Sequence, residues 1–253
     1  MAHLTRSAKS GSDWTINDLE AYNINTFFGG PLLAYHGPAD FLQHQCGTPG
    51  RGLDAASSPL LKRLDLAAPV TEGEESAVVG FTAELLRFLG YERQDTMVRT
   101  RKNLRLLICD EFVYAQTDVC LLNIETLSAL LLLIAQAIAA FQENNKRRAR
   151  LFLNSLPVQI IPGITMVGTF PTFYKIAVTS ELDHSIRHGQ YPATETVVYC
   201  HTPRVPSRHR SEGMHSLPNR ELLVRCYEAF KSIVLRDEVI ARSVVLSTNT
   251  KGV

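Results

Sequence analysis

The stretch from Leu127 to Phe141 limits the fold of this chain more than any other. Leu, Ile, Ala and Phe fill most of it, and Ser128 and Gln136 are its clearest polar interruptions. A helix on a protein surface keeps one polar face, and this segment has none. It is also shorter than the roughly 18 apolar residues that read as a membrane span. It belongs in a protein core. We expect one long helix over Leu127–Leu153, apolar on nearly all sides and then basic, ended by Asn154 and Pro157.

The segments around it supply the partners. Glu74–Leu89 places Val78, Phe81, Leu85, Leu86 and Leu89 at helical spacing, and Gly90 follows as a stop. Met97–Thr100, Leu104–Cys109 and Val113–Leu122 read as extended, the last two apolar enough for burial on both faces. Val158–Ile161, Ile164–Thr169, Phe173–Val178 and Val197–His201 are strand-like. Thr179–Leu182 opens a short helix that Gly189 closes, and Asn219–Leu235 carries a second amphipathic helix. The order predicts a mixed α/β fold: a central mixed β-sheet with helices packed on its faces. Residues 1–73 read as a loop-rich N-terminal arm with short helices near 14–23 and Leu60–Leu66, and 74–253 as the core domain. The turn residues of 27–73 and the small polar residues of 1–12 leave little to pack there.

Composition narrows the function classes. Apolar residues make up 45% and charged residues 20%, with a net charge of +1, so nucleic acid could be bound only through a local basic patch. The five cysteines include no Cys-x-x-Cys pair, which argues for buried free thiols rather than a zinc ribbon. The N-terminus lacks an apolar secretory core, so we expect an intracellular protein, cytoplasmic or nuclear, with no membrane partner. Gly-x-Ser-x-Gly, P-loop and Gly-x-Gly-x-x-Gly motifs are all absent.

One carboxylate stands out. Asp118 lies in the apolar run Ala115-Gln116-Thr117-Asp118-Val119-Cys120-Leu121, where an acid is costly unless paired or bound to a metal. Glu84, on the preceding helix, is the candidate second acid, and the pair could hold Mg²⁺ at a hydrolytic phosphate site. Candidate phosphate contacts are Arg99, Arg101 and Lys102 in one cluster and Lys146, Arg147, Arg148 and Arg150 in another. His184 and His188 have i,i+4 spacing but lack the acidic residue of a His-Glu-x-x-His motif.

The runs Ala115–Leu121, Ala135–Asn145, Ile164–Ile176 and Tyr227–Lys231 resemble a group of uncharacterised fungal proteins. That group is similar in turn to the restriction-endonuclease-like fold. The resemblance implies a restriction-endonuclease-like core over roughly residues 74–236. It also implies a metal-dependent nuclease ancestor with Asp118 and Glu84 as catalytic and metal-binding acids. The group carries a Glu-Asp-Lys signature on the strand before the apolar helix. Here Asn123-Ile124-Glu125-Thr126-Leu127 runs directly into that helix, and no Asp/Glu-x-Lys occurs between Asp118 and Phe141. The expectation is therefore a degenerate nuclease, a pseudoenzyme that keeps nucleic-acid binding. The rival is a protein-interaction module on the same scaffold, with an unknown partner.

Overall fold

The apolar segment is helical from Ser128 to Arg150. The computed structural model describes residues 6–28, 58–68, 75–92, 97–98, 100, 102–117, 128–207, 209–236 and 245–247. Within them, a 3₁₀ turn at Gly11–Asp13 precedes α1 (Ile16–Ala21) and β1 (Ile24–Phe28). Next come α2 (Ser58–Ala67), α3 (Glu75–Phe88), β2 (Lys102–Ile108) and β3 (Glu111–Thr117). Then follow α4 (Ser128–Arg150), β4 (Val158–Val167), β5 (Phe170–Thr179), α5 (Ser180–Arg187) and β6 (Thr196–His201). A second 3₁₀ turn at Arg210–Glu212, α6 (Leu217–Arg236) and β7 (Val245–Ser247) complete the described elements.

The architecture is the expected mixed α/β one. A sheet in the order β1-β6-β5-β4-β7 lies at the centre. β1 runs parallel to β6 and β7 parallel to β4, while β4–β5 and β5–β6 are antiparallel. Alternation divides the inner strands between two cores. Ile161 of β4, Tyr174, Ile176 and Val178 of β5, and Val198 and Cys200 of β6 face α4. Ile164, Met166 and Phe173 face the other way, into a core built with α2, α3 and α6. There Phe173 meets Tyr227 and Phe230 of α6, with ring centroids 5.1 and 5.0 Å apart.

The helix α4 is covered on two sides. One side packs on the sheet and the other on the β2–β3 hairpin, which forms its own two-stranded sheet. The hairpin corrects one expectation: it is buried on one face only. Leu104, Leu106, Ile108 and Ala115 point into the core, whereas Phe112 and Tyr114 point to solvent. Cys109 and Asp110, both at positive φ, form its two-residue turn. Met97, Val98 and Thr100 carry no strand, and the remainder of the expected strand beyond Thr117 lies outside the described residues.

Two further expectations change. The strand β4 is unbroken through Pro162 and Gly163, because Pro162 falls just outside the Gly163–Thr165 stretch that pairs with β7. Residues 6–28 belong to the core rather than to a separate arm. Gly11 lies so close to α4 and the hairpin that an added Cβ would stand 3.0 Å from Leu132 and 3.1 Å from Ala115. Thr15 starts α1 as expected, its N–H and hydroxyl each donating to Asp18 at 2.7 Å, and Lys9 pairs with the same carboxylate at 2.9 Å. Residues 1–5, 29–57 and 69–73 of the arm lie outside the described residues.

Gly163 sets the distance between α4 and the sheet. A Cβ there would come within 2.9 Å of Leu133 Cδ2 and 3.2 Å of its Cγ, and Leu133 is fully buried. Leu133 cannot swing clear. Gly163→Ala should therefore destabilise the fold by about 1–3 kcal/mol, the usual cost of overpacking. Denaturant melts should show that its cost and that of Leu133→Ala are not additive, because the second change empties the space the first needs.

Candidate nucleic-acid interface

Glu84 projects from α3, on the side of the sheet opposite the hairpin. It is partly exposed, and Arg87 Nη1 donates to it at 3.4 Å. Asp118, Arg99 and Arg101 lie outside the described residues, as does the side chain of Lys102. Only the Glu84 half of the expected pair therefore falls within the described residues, and it is turned to Arg87. No three His, Cys, Asp or Glu side chains among the described residues group around a metal.

His184 and His188 do acquire an acidic neighbour, from a place the sequence does not signal. Asp110 in the hairpin turn stands 3.0 Å from His188 Nδ1, and the two imidazoles meet edge to face at 4.6 Å. The turn is fixed there because Cys109 and Asp110 donate their N–H groups to the carbonyls of Ile186 and Arg187 at the end of α5. The Ile186 carbonyl also accepts from Gly189 N–H at 3.3 Å, and the hairpin turn supplies donors to the helix end, so the contact serves both elements.

The second basic cluster is gathered where α4 leaves the core. Lys146, Arg147 and Arg150 are exposed and Arg148 is half-buried. Arg147 reaches Glu143 at 3.4 Å, and Arg148 Nε donates to the Asn154 carbonyl at 2.6 Å. Four cations on the last turns are favourable beside the negative end of the helix dipole. The helix then stops in an unusual way. Leu153 N–H donates to Arg148 O at 2.9 Å and Phe152 N–H to Ala149 O at 3.1 Å. This pair of bonds is the Schellman stop, which needs a left-handed residue. α3 and α5 end with the same bonds and use Gly90 and Gly189 for it, whereas α4 uses Phe152 at φ 57°.

Phe152 is 98% exposed, Leu151 69% and Leu153 48%. Asn145 Oδ1 accepts from Leu156 N at 2.8 Å, so the turn is tied to the helix from both ends. A bulky ring is thus held in a glycine conformation and pointed at water, beside four cations. The sequence reading missed it by continuing the helix through Leu153. The available signal was an apolar triplet following the basic run, directly before Asn154 and Ser155, where no core remains to receive it.

No helix among the described residues is long and apolar enough to cross a membrane. No family model, curated protein or solved structure matches the chain.

Phe152→Gly should raise stability by about 0.5–1 kcal/mol, because glycine relieves the left-handed strain and offsets part of that gain by loosening the unfolded chain. A rise in the urea midpoint would show it. A different set of groups governs the alkaline limit. Burial pushes the Cys200 thiol from 9.0 up to about 12 and that of Cys226 up to about 11. Burial likewise raises Tyr22, Tyr91, Tyr174 and Tyr227 above 10.0. The unfolded chain loses these protons first. Their contribution to stability is whole below pH 9.0 and is lost as pH rises toward the folded values. Denaturant midpoints measured from pH 8 to 11 should fall only above about pH 9.

Proposed function

We propose that this chain is a nucleic-acid-binding protein without nuclease activity, a degenerate relative of the restriction-endonuclease-like proteins. The observation that carries the reading is the end of α4. Lys146, Arg147, Arg148 and Arg150 stand together there, beside an exposed Phe152 in a constrained turn. Cations at this density attract phosphates, and arginines bind them with a planar two-pronged fork. Catalysis has weaker support. Water activation in this class of nuclease depends on a lysine beside the metal acids, and the segment between Asp118 and Phe141 contains none.

Fluorescence anisotropy with a labelled oligonucleotide tests the reading. Binding should weaken with salt, with a log–log slope near −3 for about four phosphate contacts to a single strand. Replacing Lys146, Arg147 and Arg150 by Ala should abolish most of it. Incubation of plasmid DNA or RNA with Mg²⁺ or Mn²⁺ should give no cleavage. Absence of binding at low salt would leave the protein-interaction reading in its place. Metal-dependent cleavage that Asp118→Ala removes would restore a working nuclease.

A further inference from the structure

The outer face of the β2–β3 hairpin carries exposed side chains. Its inner face, with Leu104, Leu106, Ile108 and Ala115, is buried against α4. The outer face presents Phe112 and Tyr114, 60% and 58% exposed, from alternate positions of one strand. Across from them lie Asn103 and Arg105, also exposed, with Arg105 paired in register to Tyr114. The guanidinium carbon of Arg105 stands 4.0 Å from the centroid of the Phe112 ring. A flat cation therefore already rests on the aromatic face, where another flat group could stack.

We infer that this face is a stacking platform for two successive unpaired bases of a single-stranded nucleic acid. The inference rests on the nucleic-acid reading above and names the form of the partner. Three observations carry it. The first is spacing. Residues two apart on a strand are separated by about 6.6 Å. Stacked bases in a duplex rise by about 3.4 Å, so rings on this pitch suit bases pulled out of their stack. The second is charge. Arg105, opposite Tyr114 in register and with its guanidinium over Phe112, is free to turn to a phosphate when a base takes its place. The third is position. Gln142 of α4 bonds both backbone groups of Leu107, the residue paired with Phe112, at 2.8 and 3.0 Å. Lys146 follows Gln142 by one helical turn, so the hairpin and the cations of α4 lie at the same end of the molecule.

An anionic bilayer would meet the same charges, but it is served less well. Membrane-surface helices bury a whole apolar face, and the apolar face of α4 is already in the core. Two aromatics fixed on a rigid hairpin suit separate flat ligands better.

The test compares a labelled homopyrimidine strand of roughly 15 nucleotides with its duplex. The wild-type protein should bind the single strand about tenfold more tightly than the duplex. Phe112→Ala and Tyr114→Ala should each weaken single-strand binding by roughly tenfold and leave duplex binding unchanged. Phe112→Tyr and Tyr114→Phe should keep the affinity. Both residues are exposed, so thermal melts of all four variants should match the wild type. If the Ala variants bind the strand like the wild type, or the duplex binds equally well, the platform falls while the α4 reading stands. If neither nucleic acid binds at low salt, both fall. If the protein instead sediments with phosphatidylserine vesicles and loses this on Phe112→Ala, the face belongs to a bilayer.

Discussion

The structure depends on the burial of α4 from two opposite sides. A helix satisfies its own backbone hydrogen bonds, so it can be sealed in an apolar interior without leaving unpaired groups. Leu130 to Phe141 use that freedom, and almost every side chain among them is buried. On one side Gly163 lets the helix approach the sheet down to the width of Leu133. On the other, the hairpin and the Gly11 turn close over it. Polar groups fix the register where apolar contacts would allow sliding. Gln142 completes the open edge of β2 at Leu107 and also donates to Asp183 of α5 at 2.7 Å. Asn144 donates to Gln159 of β4 at 3.1 Å. Two amides about two turns from the end thus tie the helix to the hairpin, α5 and the sheet.

The second core follows from the first. With α4 on one face of β4 and β5, strand alternation sends Ile164, Met166 and Phe173 to the other, and α2, α3 and α6 must cover them. The helix α3, which carries Glu84, lies over this second core. Glu84 itself is partly exposed, and Asp118 lies outside the described residues. The helix α4 outlasts its own core, and its last turns emerge with cations and then with exposed apolar residues. Charge and exposed rings therefore collect at one end of the fold, on elements whose backbones are held firmly by the interior.

Much of this was readable in the chain. The nearly all-apolar run of Leu127–Phe141 required a buried helix, whatever surrounded it. The 3.6-residue periodicity of Val78, Phe81, Leu85 and Leu89, and of Leu223, Tyr227, Phe230 and Val234, set the faces of α3 and α6. The Thr179 cap was legible too, and it accepts from Leu182 N at 3.1 Å. The basic cluster at 146–150 was visible as a candidate interface. These features are local: a helix face, a cap and a charge run are each complete within a few residues.

Tertiary structure decided what depends on a distant neighbour. Val113–Leu122 reads as apolar enough to be buried on both faces, yet its described part lies in a two-stranded ribbon whose outer face meets water, because α4 covers only one side. β1 was unreadable because its partner, β6, is far along the chain. Pro162 and Gly163 looked like a break; Gly163 is instead the point where helix and sheet touch. Phe152 looked like the continuation of a helix, and only the fold shows that the helix has by then left every surface that could bury it. Sequence determines which segments must be apolar or capped. Which apolar residues remain exposed is determined by where the covering elements end, a property of the packed whole.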